Sequence, residues 1–413
     1  MAGSTIDLLV SVTVFLAALL LFISLFNQTI QTPILYQRHG SLATEASDLI
    51  DNMMLSTGIP TNWSTSNVAP SGFGLQDPEF TQYMLSPFSL MRLQSSLGQP
   101  VYYSKTGLYY SNITMGFGDF LLVPYTKAIN YSTAARLLGI NGSYGFQLTI
   151  MPIITVSVSE RQAANPLKIT VNVTGAGLPL TNASVSYSFL KVSLTGSYPS
   201  YTIKYGSNHT DTAGSALFTF PEVTNMTIPY FFIAYARFSG LVGVGYHQRA
   251  SSQNQYVIPF LDDLTTGRVL LAHSYDVHNN GSPVQIAYNA TFILLAQDFT
   301  LREMPLNATQ KIGTVNYGPG NPYGVVTITP YNQTSYNQTY NPGILMITYK
   351  VGTQGGVVLM PWGLSSMAFP VIFGGNPLGN EWVATDIRQV VVNGVAYQAK
   401  LALWSLQGYE VKS

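Results

Sequence analysis

The stretch His273-Ser274-Tyr275-Asp276-Val277-His278 carries two imidazoles and a carboxylate, the densest set of possible metal ligands in the chain. On a strand, residues an odd number of positions apart point to opposite faces, so one site would need a turn between the two histidines. No metal site is assigned on that basis. His39, His209 and His247 stand alone in sequence and read as satisfied or exposed imidazoles. Asp262-Asp263, ahead of Thr265-Thr266-Gly267, reads as a turn. The loop Gly318-Pro319-Gly320-Asn321-Pro322-Tyr323-Gly324 has glycines but lacks the Lys and Ser/Thr that complete a phosphate-binding loop. Neither a Gly-x-Ser-x-Gly elbow nor a His-Glu-x-x-His pair occurs. Cysteine is absent, which excludes disulfides, thiolate metal sites, iron–sulfur clusters and cysteine nucleophiles. The expectation is a protein that is not an enzyme and has no cofactor.

The residue pattern that does carry chemistry is Asn-x-Ser/Thr, the acceptor for N-linked glycans. It occurs at Asn27, Asn62, Asn112, Asn130, Asn141, Asn172, Asn182, Asn208, Asn225, Asn280, Asn289, Asn307, Asn332 and Asn337. Ser and Thr make up roughly a fifth of the chain, so chance would supply about five such sites. The excess predicts a glycosylated exterior. Charged residues are only 9% of the 413, against about 25% in ordinary soluble domains. Lys plus Arg and Asp plus Glu both number 18, so the net charge is zero and nothing attracts nucleic acid.

Those sites need an element that holds them outside. Leu8 to Phe26 has no charged residue and is close to the length that crosses a bilayer core as a helix. Asp7 stands just ahead of it. A cleaved export signal has a shorter apolar core, a basic front and a small-x-small cleavage site, none of which is visible. A retained span is expected, with the sequon at Asn27 putting its C-terminal end outside. Beyond it, Leu42, Ala46, Leu49, Ile50, Met53 and Met54 recur on one helical face. Gly58 and Pro60 are the expected stop, and Pro33 is a candidate kink.

Gly3-Ser4-Thr5-Ile6-Asp7-Leu8-Leu9 ahead of the apolar run resembles the start of archaeal type IV pilin-like proteins with class III signal peptides. Asp48 to Trp63 resembles the helix exit of the larger members. The resemblance implies cleavage after Gly3, a mature start at Ser4, and Asp7 as the acid that neutralises a neighbouring subunit's amine during assembly. No Lys or Arg precedes Gly3, which departs from the family's processing site. A plain uncleaved anchor therefore stands as the other reading.

Further along, Tyr131 to Ile140 reads as a short capped helix and Tyr144 to Ile150 as a strand. From Val156 to Ser252 alternation is β throughout. Gly177 to Val185, followed by Asp211 to Pro221, resembles Ig-like spacer domains of the carboxypeptidase-regulatory type. Gln389 to Trp404 is a hairpin around Asn393-Gly394, the strongest short hairpin signal. It either closes a separate C-terminal domain or returns to the head sheet, making the Ig-like part an insertion.

The fold expected is mostly β with a long N-terminal α-helix. Its domains are the transmembrane or pilin-like helix at 1–58, a mixed α/β head at 59–155, an Ig-like β-sandwich at 156–252 and a β-rich domain at 253–413. The function expected is structural: a subunit of an archaeal surface filament, or an envelope protein rooted in the plasma membrane, joined to other copies or related pilins through the N-terminal helix. The alternative is a membrane-anchored adhesin that binds glycans or other cells.

Overall fold

In the computed structural model the described residues are 2–64, 68–79, 82–93, 100–103, 108–114, 120–124, 129–197, 199–249, 257–263, 268–273, 284–295, 301–305, 312–315, 323–327, 344–351, 354–361, 370–379, 382–392 and 394–406. The chain opens with one helix, α1 (Ala2–Leu55), then α2 (Pro87–Met91) and strands β1 (Pro100–Tyr103), β2 (Leu108–Thr114) and β3 (Phe120–Pro124). Helix α3 (Tyr131–Leu137) and strands β4 (Tyr144–Pro152), β5 (Ile154–Gln162), β6 (Leu167–Gly175), β7 (Leu178–Pro179), β8 (Ser184–Ser193) and β9 (Ser200–His209) follow. Next come β10 (Ser215–Phe220), β11 (Tyr230–Phe238), β12 (Leu241–Arg249), β13 (Val257–Asp263), β14 (Arg268–His273), β15 (Val284–Leu295), β16 (Leu301–Pro305) and β17 (Ile312–Val315). The last are β18 (Tyr323–Thr327), β19 (Ile344–Val351), β20 (Gln354–Pro361), β21 (Val371–Gly374), β22 (Val383–Val392) and β23 (Val395–Ser405).

Helix α1 spans 54 residues, about 80 Å at 1.5 Å per residue. It runs through Pro33 without a break in its assignment, so the candidate kink does not end the helix. It stops where the sequence says it should: Gly58 has φ +80, a left-handed conformation suited to glycine. A Cβ there would overlap the Trp63 ring and the Gly72 carbonyl.

The head is one sheet backed by the distal half of α1. Its strand order is β21-β4-β23-β22. Leu42, Ala46, Leu49, Ile50, Met53 and Met54 are buried, in one core with Phe146, Leu148, Ile150, Leu401 and Leu403 of the sheet. The C-terminal hairpin therefore rejoins the head: Leu401 pairs with Leu148, and Leu403 with Phe146. Its tight turn works because Gly394 has φ +77. Hydrogen bonds of this sheet thus tie residues 144–152 to 371–405, across the boundaries expected between a head ending at 155 and a separate domain beginning at 253.

Between those two segments sits a β-sandwich of sheets β10-β6-β5 and β12-β11-β8-β9. Ile169, Val171 and Val173 alternate inward against Val185, Phe189 and Phe232, which explains the period-two pattern. One strand breaks that pattern. Tyr230 to Ala236 of β11 are buried at every position, because both faces of their sheet are covered. Phe232 and Ala234 face the sandwich core, while Phe231, Ile233 and Tyr235 belong to the head core with Val357 of β20. A strand buried on both faces reads as a continuous apolar run. Gly243 and Gly245 allow β12 to lie directly on β5, since a Cβ at either would meet the carbonyl of Ile154 or Val156. The remaining strands form a sheet ordered β16-β15-β19-β20 and a mixed one ordered β1-β2-β3-β13-β14-β18, in which β13 runs parallel to β3. The molecule is mostly β with one long N-terminal helix.

Candidate functional site

Two parts of α1 have opposite environments. Asp7–Phe26 is 20 residues of mean hydropathy 2.8, with none of it buried in the fold. Leu8 is 66% exposed and Phe22 68%. At 1.5 Å per residue the segment is about 30 Å long, the thickness of a bilayer core. Two of its polar side chains bond back to the helix: Ser11 Oγ donates to the Asp7 carbonyl at 2.8 Å, and Thr13 Oγ1 donates to the Leu9 carbonyl at 2.6 Å. Those two hydroxyls then need no water. Phe22 and Phe26 stack one helical turn apart, their centroids 6.2 Å from each other. Gly3 and Ser4 lie in the first turns of the same helix, and Asp7 is exposed at the edge of the apolar run.

The distal part is fastened to the head by an ionic clamp that no sequence pattern announces. Arg388 on β22 donates from Nε to Asp51 Oδ1 at 2.7 Å and from Nη2 to Asp51 Oδ2 at 3.0 Å. The same Nη2 reaches Ser47 Oγ at 2.9 Å, and Nη1 reaches Asp386 Oδ1 at 2.8 Å. Tyr83 Oη adds a donor to Asp51 Oδ1 at 3.1 Å. The Arg388 fork matches the carboxylate at both oxygens, the strong geometry for such pairs. Its hydrogen bonds, with that from Tyr83, overcome burial and hold the Asp51 carboxyl below the usual carboxylate range. Asp386 is also lowered: burial works against it, but the Ile387 amide, Ser47 and Arg388 together prevail. Arg388 is raised, chiefly by its bond to Asp51. Asp48 and Asp51 look alike in sequence; only Asp51 meets a cation from 337 residues away.

The helix exit is locked by a second arginine. Arg92, buried beyond α2, donates to the carbonyls of Trp63 and Val68 and stacks over the Trp63 ring at 5.0 Å. Burial lowers its pKa to about 10. Trp63 Nε1 donates to the Thr57 carbonyl at 2.9 Å, which pins the chain just after α1.

A third polar cluster closes one end of the sandwich. Tyr230 Oη donates to Glu160 Oε2 at 2.6 Å and sits 3.0 Å from His247 Nδ1. Arg249 Nη1 bonds the same Glu160 oxygen at 3.2 Å and the Ala163 carbonyl at 2.7 Å, with its guanidinium 4.8 Å over the Tyr230 ring. Burial lowers the His247 pKa and, with Glu160 beside it, raises that of Tyr230. These groups satisfy one another across β5, β11 and β12. They form a tie between sheets, and His247, isolated in sequence, gains its partners only in the fold.

Of the sequon asparagines, Asn62, Asn130, Asn141, Asn172, Asn182, Asn208 and Asn225 are exposed. Asn27 lies in α1, Asn112 in β2 and Asn289 in β15. Asn280, Asn307, Asn332 and Asn337 lie outside the described residues. Asn130 doubles as the N-cap of α3, its Oδ1 accepting from the Thr133 amide at 2.8 Å. His273 ends β14, while His278 lies outside the described residues. Among the described residues, no three His, Asp or Glu side chains stand close enough to hold a metal ion.

No family model and no curated protein matches the chain. Among solved structures, the D0–D1 domain of intimin aligns over 55% of this chain and 98% of its own, at 12% identity and a TM-score of 0.23. Red sea bream transglutaminase aligns over 62% of this chain and 37% of its own, at 9% identity and a TM-score of 0.19. Trypsin-activated alpha-2-macroglobulin from Escherichia coli aligns over 68% and 20%, at 10% identity and a TM-score of 0.21. At such TM-scores none of the three bears on what this chain does.

Proposed function

We propose that the chain is a glycosylated archaeal surface protein of pilin-like type, rooted in the plasma membrane or joined to copies of itself through α1. The observation that carries this reading is the continuity of α1: an unburied apolar rod whose distal turns are part of the head core. Between Leu8 and Phe26, 14 large apolar side chains are exposed. Leaving each in water forgoes about 1.5 kcal/mol or more. The total, some 20 kcal/mol, exceeds the net stability of a typical domain. Lipid or the helices of other copies must cover the rod.

The exposed sequons support an outward-facing bulk, and the clamp at Arg388 supports a head that moves with the rod as one body. The resemblance at Gly3 to Asp7 supports filament assembly over a plain anchor, with Asp7 facing a neighbouring copy's amine. N-terminal sequencing of native membrane and sheared-surface fractions tests this. A start at Ser4 in the sheared fraction supports the filament, and an intact front confined to membranes supports the anchor. Freely soluble native protein beginning beyond Phe26 refutes both.

A further inference from the structure

The head is a two-layer body, helix on sheet, and each layer leaves one face uncovered. On the sheet, the inward residues Phe146, Leu148, Ile150, Leu401 and Leu403 meet α1. Their alternating neighbours point away from it. That outer face exposes Met151 at 48%, Ile372 at 50%, Val383 at 36% and Ile387 at 47%. The solvated face of an antiparallel sheet is ordinarily polar, so four large apolar side chains on one face call for a cover. Lys400 is the cation among them, on β23 opposite Ile387 and Thr149. With strands about 4.8 Å apart and about 3.3 Å per residue, the strands of 4, 9, 11 and 10 residues cover roughly 540 Å² before loops are added. A standard interface takes about 800 Å² from each partner.

On the helix layer, the flank turned away from the sheet is Thr44, Asp48, Asn52 and Leu55, all exposed, with Glu45 beside them. These follow the three- and four-residue spacing of one helical stripe. The flank is acidic: of the α1 acids Glu45, Asp48 and Asp51, it is Asp51 that Arg388 engages. Sequons skip both surfaces: none lies between Asn27 and Asn62, and none follows Asn337. The strand β4 that completes the sheet carries none either. Elsewhere the exposed parts of head and sandwich are dotted with them. The two sequon-free faces, one with Lys400 and the other with Glu45 and Asp48, lie on opposite sides of the head.

We infer that the outer face of the head sheet docks the outward α1 flank of a second copy of this chain, Lys400 meeting Glu45 and Asp48, so that copies join head to tail. Two different patches on opposite sides make a heterologous contact, which propagates instead of closing into a dimer. The inference rests on the proposed assembly through α1 and adds the contact that sets the heads' register.

The absence of cysteine makes the test clean. The full chain carrying D48C and K400C, in native membranes or sheared surface material, is treated with a short bis-maleimide. The expected result is a ladder of covalent multimers for D48C/K400C and none for either single variant, each variant first shown to keep the wild-type protease resistance. K400C alone giving a discrete dimer means that the sheet face pairs with itself, and overturns the inference. Multimers on native gels without the D48C/K400C ladder overturn this contact and leave assembly through α1 standing. Chains that stay single in every preparation overturn both. As a second arm, K400E weakens native multimers by about tenfold, and adding E45K and D48K restores them; K400E without effect also overturns the inference.

Discussion

Replacing Arg388 by methionine removes the clamp while keeping the length of the side chain and its apolar stem. R388M loses four side-chain hydrogen bonds that the wild type makes, two of them to Asp51, one to Ser47 and one to Asp386. Asp51 and Asp386 are then left close together with no cation between them. A buried charged pair broken this way would cost about 3–5 kcal/mol. The groups here are partly solvated, with side-chain exposures of 22% for Arg388 and 36% for Asp51, so water screens much of that. The expected cost is about 2 kcal/mol, which lowers Tm by roughly 4–8 °C where the head unfolds as a unit of about 150–250 residues and by about 2 °C where the whole chain unfolds together. The pH dependence identifies the cause. The folded-state pKa of Asp51 lies below its ordinary 3.8, so the clamp's contribution is complete above that value and is lost as pH falls through the folded-state one. Thermal unfolding of the full chain in detergent, at neutral pH and at successively more acid pH, therefore gives curves for wild type and R388M that converge. Hydrogen exchange at residues 45–55 rises in R388M at neutral pH. A Tm within 1 °C of wild type at neutral pH, or a difference that persists undiminished in strong acid, refutes the clamp as an electrostatic fastening.

Gly145 lies under the Trp404 indole, so G145A forces ring or backbone aside. It destabilises the head by about 1–3 kcal/mol, read as a lower denaturant midpoint with a Trp404 fluorescence change. The His247 pKa is depressed below its ordinary 6.5 by burial. The unfolded chain then binds the proton first, so stability falls as pH drops below about 6.5 and levels off below the folded-state value. In H247Q that slope is absent from a urea titration across the same window, whereas an unchanged slope assigns it elsewhere. N130A removes the α3 cap and costs about 1 kcal/mol, seen as faster exchange of the Ala134 and Leu138 amides. If N130A and wild type exchange alike, the cap contributes nothing.

The local elements were legible because their causes are local. A long uncharged apolar run followed by an amphipathic stripe specifies α1, and Gly58 ends it for a reason tied to its own backbone. Asn393-Gly394 specifies a hairpin, and period-two alternation from Ile169 to Val173 specifies a half-buried strand. The apolar run in β11 has no period, and its burial on two faces becomes visible only when Val357 and its neighbours are seen to cover the second face. Helix α1 continues through Pro33, because a proline removes only one backbone donor, which a helix of this length tolerates.

The polar clusters were not legible. Nothing in the sequence separates Asp51 from Asp48, Arg388 from other arginines, or His247 from His209, because a partner's identity depends on which distant strand lies alongside. By itself, the sequence determined that an apolar rod leads a charge-poor, sequon-rich, β-patterned chain, since transfer free energy and backbone preference act within a few residues. Only the tertiary structure decided that the last hairpin closes the first sheet, and that Arg388 meets Asp51. It also decided that Met151, Ile372 and Ile387 share one uncovered face. Those are pairings between segments hundreds of residues apart, chosen by which whole arrangement buries the most surface with its polar groups satisfied.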